Sequence, residues 1–336
     1  MTRSERPAHQ ASSRRAFVTG LAGFTGRYMA QHLEAAGYEV WGTVAPGTTL
    51  DNDPTLANCT LLPVDLLDAQ ALCAAAADAR PDVVVHLAAR AHVANDEPGQ
   101  AYLVNVVGTR NLLAALAGLD RRPSAVLLAS SANVYGNSTR CMLDETVDPE
   151  PANDYAVSKL AMEYAAKLWL DRLPIVIARP FNYTGVGQSE AYLLPKLVAH
   201  YARNEPRISL GNLDVSRDFS DVRDVTAAYL RLLEAAPPGE TFNVCSEHAY
   251  SLKEVLTILS RIADYVIDVT IDSRFVRHHE MKCLRGSRDK LRRTVGDVPV
   301  TPLDETLRWM VEKMRVDHTT GARSDIGCTI PAALTT

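Results

Sequence analysis

Short, wholly apolar runs recur through the first half of the chain, each followed by a stretch with helical spacing. This alternation restricts the available folds more than any other feature. Residues 15–19 (Arg-Ala-Phe-Val-Thr) read as a buried strand, followed by a glycine-rich turn. A helix is expected over 27–36, with Tyr28, Leu33 and Ala36 on one face and Gly37 as its stop. Strands are expected again over 38–44, 59–64, 82–87 and 125–129, and helices over 69–79 and 101–119. Strands that are apolar on both faces must be covered on both, so the pattern predicts an α/β fold: a parallel sheet between two layers of helices. A helix over 155–171 and a strand over 174–179 continue the series. Past Pro180 the loops become dense in Gly, Asn and Pro and the elements shorten. A helix over 221–234 and an apolar strand over 241–244 are nevertheless expected to rejoin the first sheet, which makes the two parts interleaved.

The chain has 336 residues, longer than most single cores grow, so one large or two closely joined domains are expected. Its 47% apolar and 22% charged content is ordinary for a soluble globular protein. A net charge of −5 gives no electrostatic reason to expect nucleic acid or an anionic membrane as partner. No apolar run approaches the roughly 20 residues that span a bilayer. The six cysteines are scattered, without a Cys-x-x-Cys pair or zinc spacing, which predicts reduced thiols, no metal site and a cytoplasmic location. Residues 1–14 read as a polar, basic, disordered leader, and 316–336, polar and then mixed, as a disordered tail.

Thr19-Gly20-Leu21-Ala22-Gly23-Phe24-Thr25-Gly26 joins the first strand to the first helix. Glycines so spaced allow either a plain tight turn or a close backbone approach to a pyrophosphate at the helix N-terminus. The carboxylate that often ends the second strand and binds a ribose 2′-hydroxyl is missing from Trp41-Gly42-Thr43-Val44-Ala45-Pro46. No arginine stands there for a 2′-phosphate either, so NAD and NADP both remain open. Tyr155 and Lys159 lie at i and i+4, on one helical face. They are a plain surface pair or an acid with its tuning cation, since a nearby ammonium favours the phenolate and lowers the phenol's pKa. Asn153-Asp154 starts their helix, and the preceding strand ends in Ser130-Ser131, whose hydroxyls could share a substrate oxygen with Tyr155.

With the glycine turn, His86-Leu87-Ala88-Ala89, Ser130-Ser131-Ala132-Asn133-Val134-Tyr135-Gly136 and the Tyr155/Lys159 pair in this order, the chain resembles the extended short-chain dehydrogenase/reductases, the NAD-dependent epimerase/dehydratase family. The resemblance runs from about Arg15 to about Met310 and is nearest to the enzymes of GDP-sugars, the GDP-mannose 4,6-dehydratases and the GDP-4-keto-6-deoxymannose reductases. It rests further on Arg179-Pro180-Phe181-Asn182, Gly185-Val186-Gly187-Gln188, Val215-Ser216-Arg217-Asp218-Phe219 and Arg277-His278-His279-Glu280. The resemblance implies a Rossmann-type doubly wound sheet over 15–180. It also implies a smaller, interleaved nucleotide-sugar domain over 181–315, from which 221–246 returns to the sheet. It assigns Ser131, Tyr155 and Lys159 to catalysis. Gly20, Gly23, Phe24, Thr25, Gly26, Asp65, Leu66, Leu87, Ala88 and Ala89, with Tyr155 and Lys159, would hold NAD(P). Asn182, Lys196, Arg217, Arg277 and Glu280 would hold the sugar nucleotide, the arginines as planar forks on phosphate. Asp65 has a second reading as a strand-end turn residue. His86 and His92 are expected to be structural. Relatives pair as homodimers through helices that include the Tyr155 one, although apolar residues there equally suit a core.

The reaction narrows by what is absent. A 4,6-dehydratase needs a carboxylate base two positions after the catalytic Ser or Thr, where this chain has Asn133, preceded by Ala132. A 3,5-epimerase would place a cysteine at Asn133. A ketoreductase needs neither, because the nicotinamide brings the hydride and Tyr155 the proton. The expectation is NAD(P)H-dependent reduction of a GDP-4-keto-6-deoxyhexose to a GDP-6-deoxyhexose such as GDP-D-rhamnose. A C4 epimerase, which uses the same three side chains, is the alternative. A non-catalytic NAD(P)-sensing protein is the alternative of another class, disfavoured by the intact trio.

Overall fold

The computed structural model describes residues 14–49, 53–91, 98–138, 140–235, 237–272 and 282–320. His92, Arg277, Glu280, nearly all of the leader and the end of the tail lie outside the described residues.

Seven parallel strands form the main sheet. In chain order the first half runs β1 (Arg14–Thr19), α1 (Phe24–Ala35), β2 (Tyr38–Val44), β3 (Thr60–Pro63), α2 (Ala69–Ala79), β4 (Val83–His86), α3 (Pro98–Tyr102), α4 (Thr109–Ala117), β5 (Ala125–Ala129), α5 (Asp154–Lys167) and β6 (Ile175–Pro180). The second half comprises β7 (Asn182–Thr184), α6 (Leu193–Ala202), β8 (Arg207–Leu210), β9 (Ser216–Asp221), α7 (Val222–Ala235), β10 (Thr241–Val244), β11 (Ala249–Ser251), α8 (Leu252–Ala263), β12 (Asp268–Ile271), β13 (Cys283–Leu284), α9 (Asp289–Val295) and α10 (Leu303–Thr320). The sheet order is β3-β2-β1-β4-β5-β6-β10, the doubly wound arrangement that the apolar runs predicted.

The alternation of side chains along each strand explains why those runs are continuous. Ala16, Val18, Val83, Val85, Ala125, Leu127, Val176 and Ala178 face the core under α1 and α7. Phe17, Val84, Val126, Leu128, Ile175 and Ile177 face the other core, under α2, α4 and α5. Each large side chain so buried contributes about 1.5–3 kcal/mol of transfer free energy, and a polar residue on either face would forfeit it.

The expected helix over 101–119 is one helical run with a fault in it: between α3 and α4, residues Leu103–Gly108 form a π-helical turn. α10 continues to Thr320, past the start of the expected tail. After β6 the chain builds a smaller lobe around α6, α8 and α10. Its strands are short: β9 pairs with β7 and β13 in parallel and with β11 antiparallel, and β8 pairs with β12. Among the described residues, no helix is long and apolar enough to cross a membrane.

Candidate active site

The site lies where the strand order reverses between β1 and β4, at the carboxyl ends of the strands, the usual crevice of such sheets. Parallel pairing sets Thr19 beside His86 at that edge. The Thr19 hydroxyl lies 2.6 Å from His86 Nδ1 and accepts the Ala88 N–H at 3.3 Å, while Thr109 Oγ1 lies 2.8 Å from His86 Nε2. Burial, with the Lys159 charge, pulls His86 down to about 3. It is a neutral strut, as its spacing suggested.

The glycine turn follows directly. Gly20 has φ +71°, and a Cβ on it would sit 2.9 Å from the Ala88 backbone. A Cβ on Gly26 would run into the carbonyl oxygens of Gly20 and Leu21. The N-terminus of α1 has neither a side-chain cap at Gly23 nor an acidic residue in its first turn. Its unpaired N–H groups and the helix dipole are therefore available to an anion. A side-chain-free cradle under an uncapped helix fits a dinucleotide pyrophosphate. Phe24 stacks on Tyr183 at 6.1 Å, and Thr25 Oγ1 lies 2.8 Å from the Tyr183 hydroxyl, joining the turn to β7. Leu87 and Ala89 are half-buried beside Ala88. Asp65 is exposed and accepts the Leu67 N–H at 2.9 Å, the geometry of its strand-end turn reading, while Leu66 points into the core.

Ser131 follows β5 by two residues and starts a tight turn over Ala132–Tyr135, its hydroxyl accepting the Asn133 N–H at 3.2 Å. α5 opens at Asn153, whose side chain accepts the Ala156 N–H at 2.9 Å and sets the helix phase that carries Tyr155 and Lys159. The Ser131 hydroxyl lies near enough to the Tyr155 phenol to act on its proton. Lys159, only 3% exposed, donates to the Ala129 carbonyl at 2.8 Å, with Nζ 6.0 Å from the Tyr155 ring centre.

The expected tuning of Tyr155 by Lys159 takes a different form. Burial raises the Tyr155 phenol above its ordinary value and nearby Tyr183 adds to this, while the Ser131 hydroxyl works the other way. The ammonium is aimed at a carbonyl, so it does not overcome burial, and the phenol stays protonated. Burial also brings Lys159 down to about 8, with Glu163 opposing the shift.

The sequence reading passed over a buried polar residue beside Tyr155's helix. Asn105, buried in the π-helical turn, accepts the Arg90 N–H at 2.9 Å and donates to the Arg90 carbonyl and to Ser158 Oγ. Ser158 in turn donates to the Tyr155 carbonyl at 2.8 Å. Asn105 thus ties the loop after β4 to the turn of α5 that bears Tyr155. A lone Asn among apolar neighbours in Leu103-Val104-Asn105-Val106-Val107 was the available signal.

The substrate-side residues are less gathered. Pairing of β7 with β9 puts Asn182 opposite Phe219, and its side chain donates to the Asp218 carbonyl at 3.4 Å. Arg217, half-buried on β9, donates to the Ser216 carbonyl at 2.9 Å. Its neighbour Asp218 is fully buried and accepts N–H groups of Ser246, Glu247 and Gly286, anchoring the loops behind Arg217. Lys196 on α6 donates to the Ser209 carbonyl at 3.4 Å. Among the described residues, no cluster of His, Cys, Asp or Glu could hold a metal.

The model of the NAD dependent epimerase/dehydratase family matches residues 16–245. The chain is similar to the GDP-6-deoxy-D-mannose reductase of Pseudomonas aeruginosa, 34% identical over 88% of this chain and 95% of that one. It is 32% identical to the GDP-6-deoxy-D-talose 4-dehydrogenase of Aggregatibacter actinomycetemcomitans, over 83% of this chain and 90% of that one. A crystal structure from Burkholderia cenocepacia J2315, provisionally described as that of an epimerase, is 82% identical. It covers 90% of this chain and 99% of its own, with a TM-score of 0.88.

Proposed function

The chain belongs to the NAD-dependent epimerase/dehydratase family, and from that footing we propose that it reduces the C4 ketone of a GDP-4-keto-6-deoxyhexose with NAD(P)H. The product is a GDP-6-deoxyhexose such as GDP-D-rhamnose. One observation carries the reading: a buried, protonated phenol on which the Ser131 hydroxyl acts, with no acid in the two positions beyond that serine. The groups acting most strongly on Tyr155 are two phenols and the Ser131 hydroxyl, not carboxylates. Such a site can deliver a proton to a ketone oxygen but lacks the base that a 4,6-elimination requires. The names of the mannose and talose relatives both give a GDP-6-deoxyhexose, and that of the talose relative gives position 4.

Gly20, Gly23, Phe24, Thr25 and Gly26 would hold the cofactor's pyrophosphate. Asp65, Leu66 and the 87–89 backbone would flank its adenosine side, and Tyr155 and Lys159 its nicotinamide ribose. When bound, the nicotinamide supplies a hydride to C4. Ser131 orients the C4 carbonyl, and Tyr155 gives its proton to the C4 oxygen as charge develops there. The Lys159 ammonium stabilises the phenolate left behind. Asn182, Lys196 and Arg217, with Arg277 and Glu280, are proposed to hold the sugar nucleotide. Residues 15–180 and 221–246 serve the cofactor, and the rest of 181–315 serves the substrate.

We also propose a cytoplasmic homodimer. Leu103 and Val107 on the π-helical turn, Val157 and Tyr164 on α5 and Leu168 just past its end are exposed, Tyr164 and Leu168 at 60% and 77%. Their spacing places them on neighbouring helix faces, and a strip of this kind marks an interface.

The deciding assay follows nicotinamide absorbance with GDP-4-keto-6-deoxymannose and either NADPH or NADH. Stoichiometric cofactor oxidation supports the reductase. A C4 epimerase would interconvert a GDP- or UDP-hexose without net oxidation, and that result would sink the reductase; the 82% identical structure is described only as that of an epimerase, with no position given. Cofactor binding without turnover of any sugar would indicate the sensing protein.

A further inference from the structure

Glu163 lies on α5 one helical turn beyond Lys159, and its side chain is 3% exposed. The reaction scheme above makes no use of it, yet both of its oxygens are committed. Oε1 accepts the Ser130 hydroxyl at 2.5 Å and Arg179 Nε at 2.9 Å, and Oε2 accepts Arg179 Nη2 at 2.7 Å. Ser130 stands between Ala129, whose carbonyl accepts Lys159, and Ser131, whose hydroxyl acts on the Tyr155 phenol. Arg179 belongs to β6, and its guanidinium lies 4.9 Å over the ring of Tyr135, in the turn that Ser131 opens. The Tyr135 hydroxyl donates to Asn243 of β10 at 2.7 Å. One carboxylate therefore joins the helix bearing Tyr155 and Lys159 to the ends of the two strands beneath it.

A buried ion pair is weak evidence of stability, because desolvation offsets most of the attraction. Position and charge are the better explanation here. Lys159 is faced by Tyr155 and Glu163 from its own helix and by His86 from β4, with Arg179 of β6 and Tyr135 standing behind Glu163. His86 is neutral and Arg179 is bound to the carboxylate. Glu163 is the one anionic group among these that opposes the loss of Lys159's proton.

We propose that Glu163 is a positioning residue for the C4 reduction, locking α5 to Ser130 and Arg179 so that Lys159 keeps both its place under Ala129 and its charge. This rests on the assignment of Lys159 made above. Without the carboxylate, Lys159 sheds its proton at lower pH, and any step that needs the ammonium fails earlier on the alkaline side.

The test compares wild type with Glu163→Gln and with the double variant Glu163→Gln, Arg179→Met. The double variant removes both charges, so no uncompensated ion is left buried to unfold the protein. Two quantities are measured across pH: kcat/KM for reduction, and the Kd for NADPH from nicotinamide fluorescence. In both variants the alkaline limb of each is expected to move to lower pH by about one unit or more, with values in the acidic range kept within several-fold. A folded double variant whose limbs coincide with wild type, or whose loss is uniform across pH, overturns the proposal. Should wild type reduce no keto sugar, the reductase reading fails by itself, and the NADPH limb still decides for or against Glu163.

Discussion

Two glycines with the same backbone demand and different surroundings isolate what the glycine turn is for. Gly20 has φ +71° and Gly37 has φ +82°. Alanine at either position incurs left-handed strain of about 1–2 kcal/mol, partly offset by about 0.4–1 kcal/mol from a less flexible unfolded chain. A Cβ at Gly37 meets nothing within 4 Å, so Gly37→Ala should cost about 1 kcal/mol and end there. At Gly20 the added carbon lies 2.9 Å from both Cα and N of Ala88, atoms of the backbone that cannot swing aside. The loop after β4 must shift, straining the Ala88 N–H bond to Thr19. Overpacking of this kind costs about 1–3 kcal/mol, so Gly20→Ala should lose about 2–4 kcal/mol in total. The same shift distorts the cradle beneath α1. NADPH should therefore bind at least tenfold more weakly to Gly20→Ala, about 1.4 kcal/mol, and within about twofold of wild type to Gly37→Ala. Urea unfolding and fluorescence titration read the two effects separately. If the variants lose equal stability and bind NADPH alike, the close approach of Ala88 has no part in holding the cofactor.

Tyr155→Phe should lower the reduction rate by about 10²–10⁴-fold with NADPH binding preserved; retained turnover would remove Tyr155 as the acid. His86 has a folded value of about 3 against 6.5, so on acidification the unfolded chain takes up its proton first. Stability is then lost as pH falls from about 6.5 towards 3, on the order of 4 kcal/mol in all. Wild type should lose about 2 kcal/mol more than His86→Gln between pH 7 and pH 5, measured by urea unfolding at both; parallel slopes would contradict this. Tyr164→Glu with Leu168→Glu should turn the proposed dimer into a monomer by light scattering, with the unfolding midpoint little changed; an unaltered mass would place any interface elsewhere.

The sheet was legible because burial on both faces leaves strands such as Val83–His86 and Ala125–Ala129 no place for a polar side chain. Such runs stand out against helices that must keep one wet face. The π-helical turn at Leu103–Gly108 was not legible, since its apolar spacing matches an ordinary helix and only the burial of Asn105 betrays it. In the smaller lobe β7 and β11 are three residues long, too short for a period of two to emerge. At the site, spacing put Tyr155 and Lys159 on one face but could not say where the ammonium points. Its bond to Ala129 depends on how deeply α5 sits against β5, a tertiary distance that no local pattern encodes. Glu163 went unremarked for the same reason: a Glu one turn after a Lys looks like an ordinary surface partner until Arg179 and Ser130 close around it.

The route of the chain between the two lobes has a consequence for how such an enzyme can change. After β6 the chain leaves the sheet for β7, returns through α7 to place β10 at the sheet edge, and departs again into β11. Neither lobe is an uninterrupted stretch, so grafting a relative's sugar-binding lobe onto this sheet requires several junctions, each crossing β9 and its paired strands. Cutting the chain after β6 would strip the sheet of an edge strand and of one of the helices that cover one face. New sugar preferences are therefore more readily reached by single substitutions around β7 and β9 than by exchange of whole modules.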